Sequence, residues 1–77
     1  MITITYHSSP TCGWCTKWTR EEKQYLNPAY EFDEVQGGAE SYPTFKLDVN
    51  GNKMTLVGFK EIYEIEAAIE KLRNVPS

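Results

Sequence analysis

Ile2-Thr3-Ile4-Thr5-Tyr6-His7-Ser8-Ser9-Pro10-Thr11-Cys12-Gly13-Trp14-Cys15 holds a change of period. Ile2 to Tyr6 alternates apolar and polar side chains, with β-branched residues throughout, which is a strand with one wet face. Ser8-Ser9-Pro10-Thr11 is a turn-forming link, and Thr11 is placed to cap a helix beginning near Cys12. From there Cys15, Trp18, Glu22, Tyr25 and Leu26 recur at helical spacing until Asn27-Pro28 breaks the run.

Two cysteines two residues apart at a strand-to-helix junction read as a dithiol redox site. The first N–H groups of a helix lack intrahelical partners and carry the positive end of its dipole, so a thiolate is stabilised there. Cys12 sits at that end, and its pKa is expected to fall, making it the nucleophile. Cys15, one turn further in and more buried, is placed to attack the mixed disulfide and release product. Gly13 is expected to keep the intervening turn permissive.

Other readings stay open. A structural disulfide would close a four-residue loop, worth about 2 kcal/mol in chain entropy. Zinc or iron needs about four ligands, and the sequence offers two cysteines and one histidine, His7. A metal role would therefore be that of an iron-sulfur or zinc carrier sharing Cys12 between two chains; otherwise no metal is expected. A redox-inert binding module, with Trp14 and Tyr42 as contacts, is the remaining alternative.

A length of 77 residues sets the scale of one small domain, 1–77, where a single core supplies only about 3–5 kcal/mol. Forty per cent hydrophobic and 25% charged residues are globular composition, and a formal charge of -3 argues against a nucleic-acid surface. No apolar run approaches a signal-peptide core or a membrane span. The expectation is a cytoplasmic monomer without membrane contact, in a compartment where a cysteine pair is more readily catalytic than structural.

Outward from the dithiol, Tyr30 to Val35 reads as a second strand, parallel to the first through a right-handed crossover. Gln36 to Tyr42, with Gly37-Gly38 inside, is a linker that holds one helical turn at most. Phe45, Leu47 and Val49 alternate with Lys46 and Asp48, and Asn50-Gly51 precedes another run, Asn52 to Val57. Asn-Gly between alternating runs signals a hairpin, because a type I′ turn needs positive φ at both central residues. After Gly58, residues Ile62, Ile65, Ala68, Ile69 and Leu72 mark one face of a closing helix. Pro76 is placed past its end. Trp18 reads as core, His7 as a solvated strand end, and Lys17 as a first-turn cation favouring thiolate at Cys12.

The order of strand, Cys-x-x-Cys helix, strand, linker, Tyr42-Pro43-Thr44, Asn-Gly hairpin and helix resembles the thioredoxin and glutaredoxin superfamily over nearly the whole chain. The resemblance implies an α/β fold with a four-stranded mixed sheet, and a cis Pro43 opposite Cys12. On base rates alone only about 5–6% of X-Pro bonds are cis. A cis proline there would turn the backbone of Tyr42 toward an extended substrate segment, as in strand addition. Gly13, Trp14, Tyr42, Pro43, Thr44, Gly58 and Phe59 are the substrate-binding residues it implies, around the catalytic pair Cys12 and Cys15.

Two departures refine the resemblance. The superfamily's helix between the second strand and the proline has no room in the linker, so the fold should be minimal, with both long helices on the face bearing Ile4 and Leu47. Thr3, Thr5, Lys46 and Asp48 are then expected to face solvent. Glutathione-binding residues of that helix are lost with it, and Gly58-Phe59-Lys60 is more similar to the Gly-Phe-Arg of small glutaredoxin-like redoxins that serve ribonucleotide reductase and are recharged by thioredoxin reductase. Thioredoxins carry a buried carboxylate six residues before the first cysteine, where Tyr6 stands here. The implied activity is a thiol-disulfide oxidoreductase acting on protein or small-molecule disulfides. It needs no tightly bound cofactor, and glutathione or a thioredoxin-reductase type enzyme is the external electron source.

Overall fold

A computed structural model describes residues 1–75 of the chain. Strand β1 (Ile2–Ser8) leads into helix α1 (Gly13–Glu21), which a short 3-10 turn (Lys23–Tyr25) prolongs. Strand β2 (Glu31–Gln36), the hairpin β3 (Thr44–Val49) and β4 (Asn52–Val57), and helix α2 (Ile62–Arg73) follow. The sheet is four-stranded in the order β2-β1-β3-β4. β1 and β2 are parallel, with Ile4 opposite Phe32, and the other neighbouring pairs are antiparallel. This is the mixed sheet with two helices that the sequence implied. The expected position of Pro76 lies outside the described residues.

Period two decides which face of the sheet is dry. Ile4 and Tyr6 on β1 and Phe45, Leu47 and Val49 on β3 are buried, and they form one core with Trp18 of α1 and Ile65, Ile69 and Leu72 of α2. Both helices therefore cover the same face. An aromatic stack lies at its centre: Tyr6 is parallel to Phe45 at 5.2 Å between ring centroids, and Trp18 is parallel to Phe32 at 6.0 Å. Tyr25 does not join them. It is 65% exposed, because the helix tightens into the 3-10 turn after Glu21 and the α-period that aligned Tyr25 with Trp18 is lost.

On the other face Lys46 is exposed, whereas Thr3, Thr5 and Asp48 are half-buried rather than left to solvent. Short side chains on a central strand are flanked on both sides by neighbours on the pleat, and that alone removes much of their exposure. Between β2 and Pro43 there is no helix, only bends. This linker folds back over the end of the sheet: Gly37 N–H donates to Ser8 O at 2.8 Å, and Thr44 Oγ1 donates to Ser41 O at 2.7 Å. His7, expected in solvent, is consequently buried, with Nδ1 2.8 Å from Gly37 O.

The hairpin turn has φ of 54° at Asn50 and 92° at Gly51, as a type I′ turn requires. A Cβ at either Gly51 or Gly13 would meet no atom within 4 Å, but only Gly51 of the two has positive φ. Gly51→Ala should therefore cost about 1–2 kcal/mol from backbone conformation alone. Gly13→Ala, in a helix, should be stabilising by up to about 1 kcal/mol. Urea titrations that moved both midpoints the same way would contradict this account.

Candidate redox site

The N-cap of α1 is Cys12 itself, not Thr11. Its backbone is extended (φ -89°, ψ 105°) and its Sγ accepts the N–H of Cys15 at 3.1 Å, while its carbonyl accepts Thr16 N–H at 3.2 Å. The sulfur takes the place that an oxygen usually fills at a helix N-terminus. Thr11 misses the cap because Cys12 N–H turns back to Ser9 O at 3.1 Å, adding one residue of turn before the helix begins. Cys12 is half-buried and Cys15 is 3% exposed.

The two sulfurs are bonded to each other, with Cα atoms 5.2 Å apart. Gly13 lies at the first helical position, without the positive φ that would demand glycine. Its expected role in relaxing the turn is therefore not needed. What the missing side chain leaves is bare backbone beside the disulfide.

Beneath the pair is Tyr6, fully buried, whose hydroxyl donates to Cys15 O at 2.9 Å and lies 3.2 Å from Thr19 Oγ1. Burial pushes the phenol pKa above its ordinary value, the Thr19 hydrogen bond pulls it back in part, and the charge of Glu34 raises it further. The group stays protonated through the physiological range and holds the first turn of α1 from below. Position 6 thus supplies a neutral donor where a carboxylate would supply a proton acceptor.

Two bonds tie α1 to the loop before α2. Trp18 Nε1 donates to Lys60 O at 2.9 Å, and Ile62 N–H donates to Glu22 Oε1 at 2.9 Å. That Glu22 caps α2 from 40 residues away could not be read from local spacing, since its position fits the amphipathic pattern of α1 equally well. The loop so anchored brings the Phe59 ring to 5.7 Å from that of Trp14. Trp14 is 58% exposed.

Pro43 is cis and buried, and its carbonyl accepts Gly58 N–H at 2.8 Å. Since His7 pairs with Thr44 across β1 and β3, and Thr44 with Val57 across β3 and β4, Pro43 and Gly58 lie at the end of the sheet from which the Cys12 loop departs. The side chains on either side of Pro43 have partners within the linker. Thr44 is buried and committed to Ser41 O, and the Tyr42 hydroxyl reaches back toward Ala39 N–H at 3.4 Å. Among the described residues no group of three or more His, Cys, Asp or Glu side chains could hold a metal ion, and no helix is long and apolar enough to cross a membrane.

No family model matches the sequence, and no curated protein matches it significantly. Solved structures do. One described as a malarial protein superposes with a TM-score of 0.76 at 18% identity, covering 92% of this chain and 96% of that one. The first thioredoxin domain of mouse protein disulfide-isomerase A4 superposes with a TM-score of 0.71 at 17% identity, over 99% of this chain and 68% of that one. The fold is thioredoxin-like.

Proposed function

We propose that the protein is a thiol-disulfide oxidoreductase whose reacting atoms are the sulfurs of Cys12 and Cys15. The observation that carries this reading is the Cys15 N–H aimed at Cys12 Sγ at 3.1 Å, at the N-terminus of α1. When the pair is reduced, that donor and the helix dipole stabilise negative charge on Cys12. Cys12 thiolate attacks one sulfur of a substrate disulfide, forms a mixed disulfide and expels the other substrate sulfur, which takes up a proton. Cys15 then loses its proton and attacks Cys12 Sγ, closing the Cys12–Cys15 bond and expelling the second substrate thiol. The substrate gains two electrons and two protons, and the protein ends in the disulfide form.

The exposed Trp14 and the bare backbone at Gly13 and Gly58 favour protein disulfides as substrates, since Trp is enriched at contact hot spots. The Gly58-Phe59-Lys60 loop and the absence of a helix between β2 and Pro43 favour a redoxin-like protein recharged by a thioredoxin reductase rather than by glutathione. Ribonucleotide reductase is a fitting acceptor for such electrons, and a cytoplasmic monomer the fitting state. NADPH oxidation followed with thioredoxin reductase, and separately with glutathione and glutathione reductase, tests this. Turnover with the first system alone is expected. Turnover with glutathione alone would make the protein a glutaredoxin, and turnover with neither, against insulin or a small mixed disulfide, would remove the redox reading.

A further inference from the structure

Trp14 and Lys17 are three residues apart on α1 and share a face. Lys17 Nζ lies 5.2 Å from the centroid of the Trp14 ring and 5.4 Å from that of Phe59. An ammonium is drawn to an aromatic face by the ring quadrupole, but a ring satisfies its three N–H donors poorly. The ion pairs among the described residues are Arg20–Glu21, Lys23–Glu34 and Arg73–Glu70, and none involves Lys17. Two carboxylates close to the Phe59 loop are engaged by backbone donors. Glu64 Oε2 accepts Glu61 N–H at 2.8 Å and Glu22 Oε1 accepts Ile62 N–H at 2.9 Å, both at the N-terminus of α2. A chain of formal charge -3 thus carries, two residues past its disulfide, a cation seated against two rings and, among the described residues, without a carboxylate partner.

We propose that Lys17, seated on Trp14 and Phe59, receives a carboxylate that flanks the disulfide of a protein substrate, so that the site selects disulfides carried in acidic segments. This preference rests on the redox reading of Cys12 and Cys15 and adds a substrate class to it. Lys17 is five residues past Cys12, the attacking sulfur, about 7.5 Å further along the helix axis. An extended substrate laid over Trp14 and Phe59 advances about 3.3 Å per residue, which places the carboxylate within about three residues of the attacked cysteine. The rings hold the lysine in one place before the substrate arrives, so less side-chain entropy is lost when the ion pair forms.

Two disulfide-linked peptides that differ only in Glu or Gln beside the cysteine test this, with wild type, Lys17→Gln and Lys17→Arg as reductants at low ionic strength. The wild-type kcat/KM ratio should favour the Glu peptide by about three- to fivefold, the upper range for an exposed ion pair. It should fall to near unity in Lys17→Gln, persist in Lys17→Arg, and shrink for all in high salt. A preference that survives Lys17→Gln overturns the proposal. So does a Lys17→Gln effect confined to glutathione disulfide, which carries carboxylates of its own. If no peptide is reduced by any of the three proteins, the redox reading has failed separately. The same peptides with serine for cysteine, titrated against tryptophan emission, then decide: binding ordered Glu over Gln only where residue 17 is cationic supports the docking point, and equal binding overturns it.

Discussion

Cys12→Ser should lose all disulfide reduction, whereas Cys15→Ser should lose turnover but accumulate a stable mixed disulfide with its substrate. The asymmetry follows from where the two sulfurs sit. Cys12 is half-buried and its Sγ receives the Cys15 N–H at 3.1 Å, while Cys15 is 3% exposed and its carbonyl accepts the Tyr6 hydroxyl. A substrate sulfur can reach the first and not the second, and the backbone donor stabilises charge on the first alone. With Cys15 replaced, the first exchange proceeds and nothing resolves its product. Intact-mass spectrometry of each variant after exposure to a disulfide peptide should show the adduct only for Cys15→Ser. In the reduced wild type, brief alkylation near neutral pH should label Cys12 first; a fast label on Cys15 would reverse the roles.

The parts of this site that were legible in the sequence are those governed by neighbours along the chain. Period two in Ile2 to Tyr6, the Asn50-Gly51 turn, and the shift to helical spacing at Cys15 are local signals, and each element stands where its signal put it. The cap shifted from Thr11 to Cys12 because both residues can serve, and the choice depends on whether Cys12 N–H closes a turn onto Ser9 O. His7 is buried, not solvated, for a different reason. Its burial depends on a linker 30 residues away, whose Gly37 carbonyl meets the ring and whose Gly38 lies so close that a Cβ would come within 3.2 Å of Nδ1. Nothing in the pattern around His7 carries that contact. Lys17 likewise reads only as a first-turn cation beside Cys12, and its seat against Phe59 depends on a residue from the far end of the chain.

The same linker holds the cysteine end of the sheet without a helix between β2 and Pro43. Pairing of Gly37 with Ser8 and of Thr44 with Ser41 closes the sheet over His7 at the cysteine end, where Pro43 must be held. Further along, the open face is left to Lys46 and to half-buried Thr3, Thr5 and Asp48, residues that tolerate partial hydration. Cover is thus concentrated where the geometry of the dithiol depends on it. The core on the opposite face has to supply the remaining stability.

Trp18→Ala should accordingly remove a large part of the protein's stability. Trp18 is fully buried, with its ring 4.7 Å from Tyr6, 4.9 Å from Phe45 and 6.0 Å from Phe32. Removing a buried aromatic of this size costs about 3–5 kcal/mol, and a domain of this length has roughly 4–11 kcal/mol to lose. Its Nε1 also holds the Lys60 carbonyl at 2.9 Å, so the same substitution frees the loop that carries Phe59. Trp18→Phe separates the two effects: it keeps much of the ring volume and leaves the carbonyl without its donor, at about 1–3 kcal/mol. The alanine variant should show a lowered or vanished urea midpoint by circular dichroism. The phenylalanine variant should stay folded while its reduction of large protein disulfides falls more than that of a small dithiol-reactive probe, because only the former needs Phe59 in place beside Trp14. Equal losses on both substrates would mean that the Lys60 contact supports the fold alone and has no part in placing the substrate face.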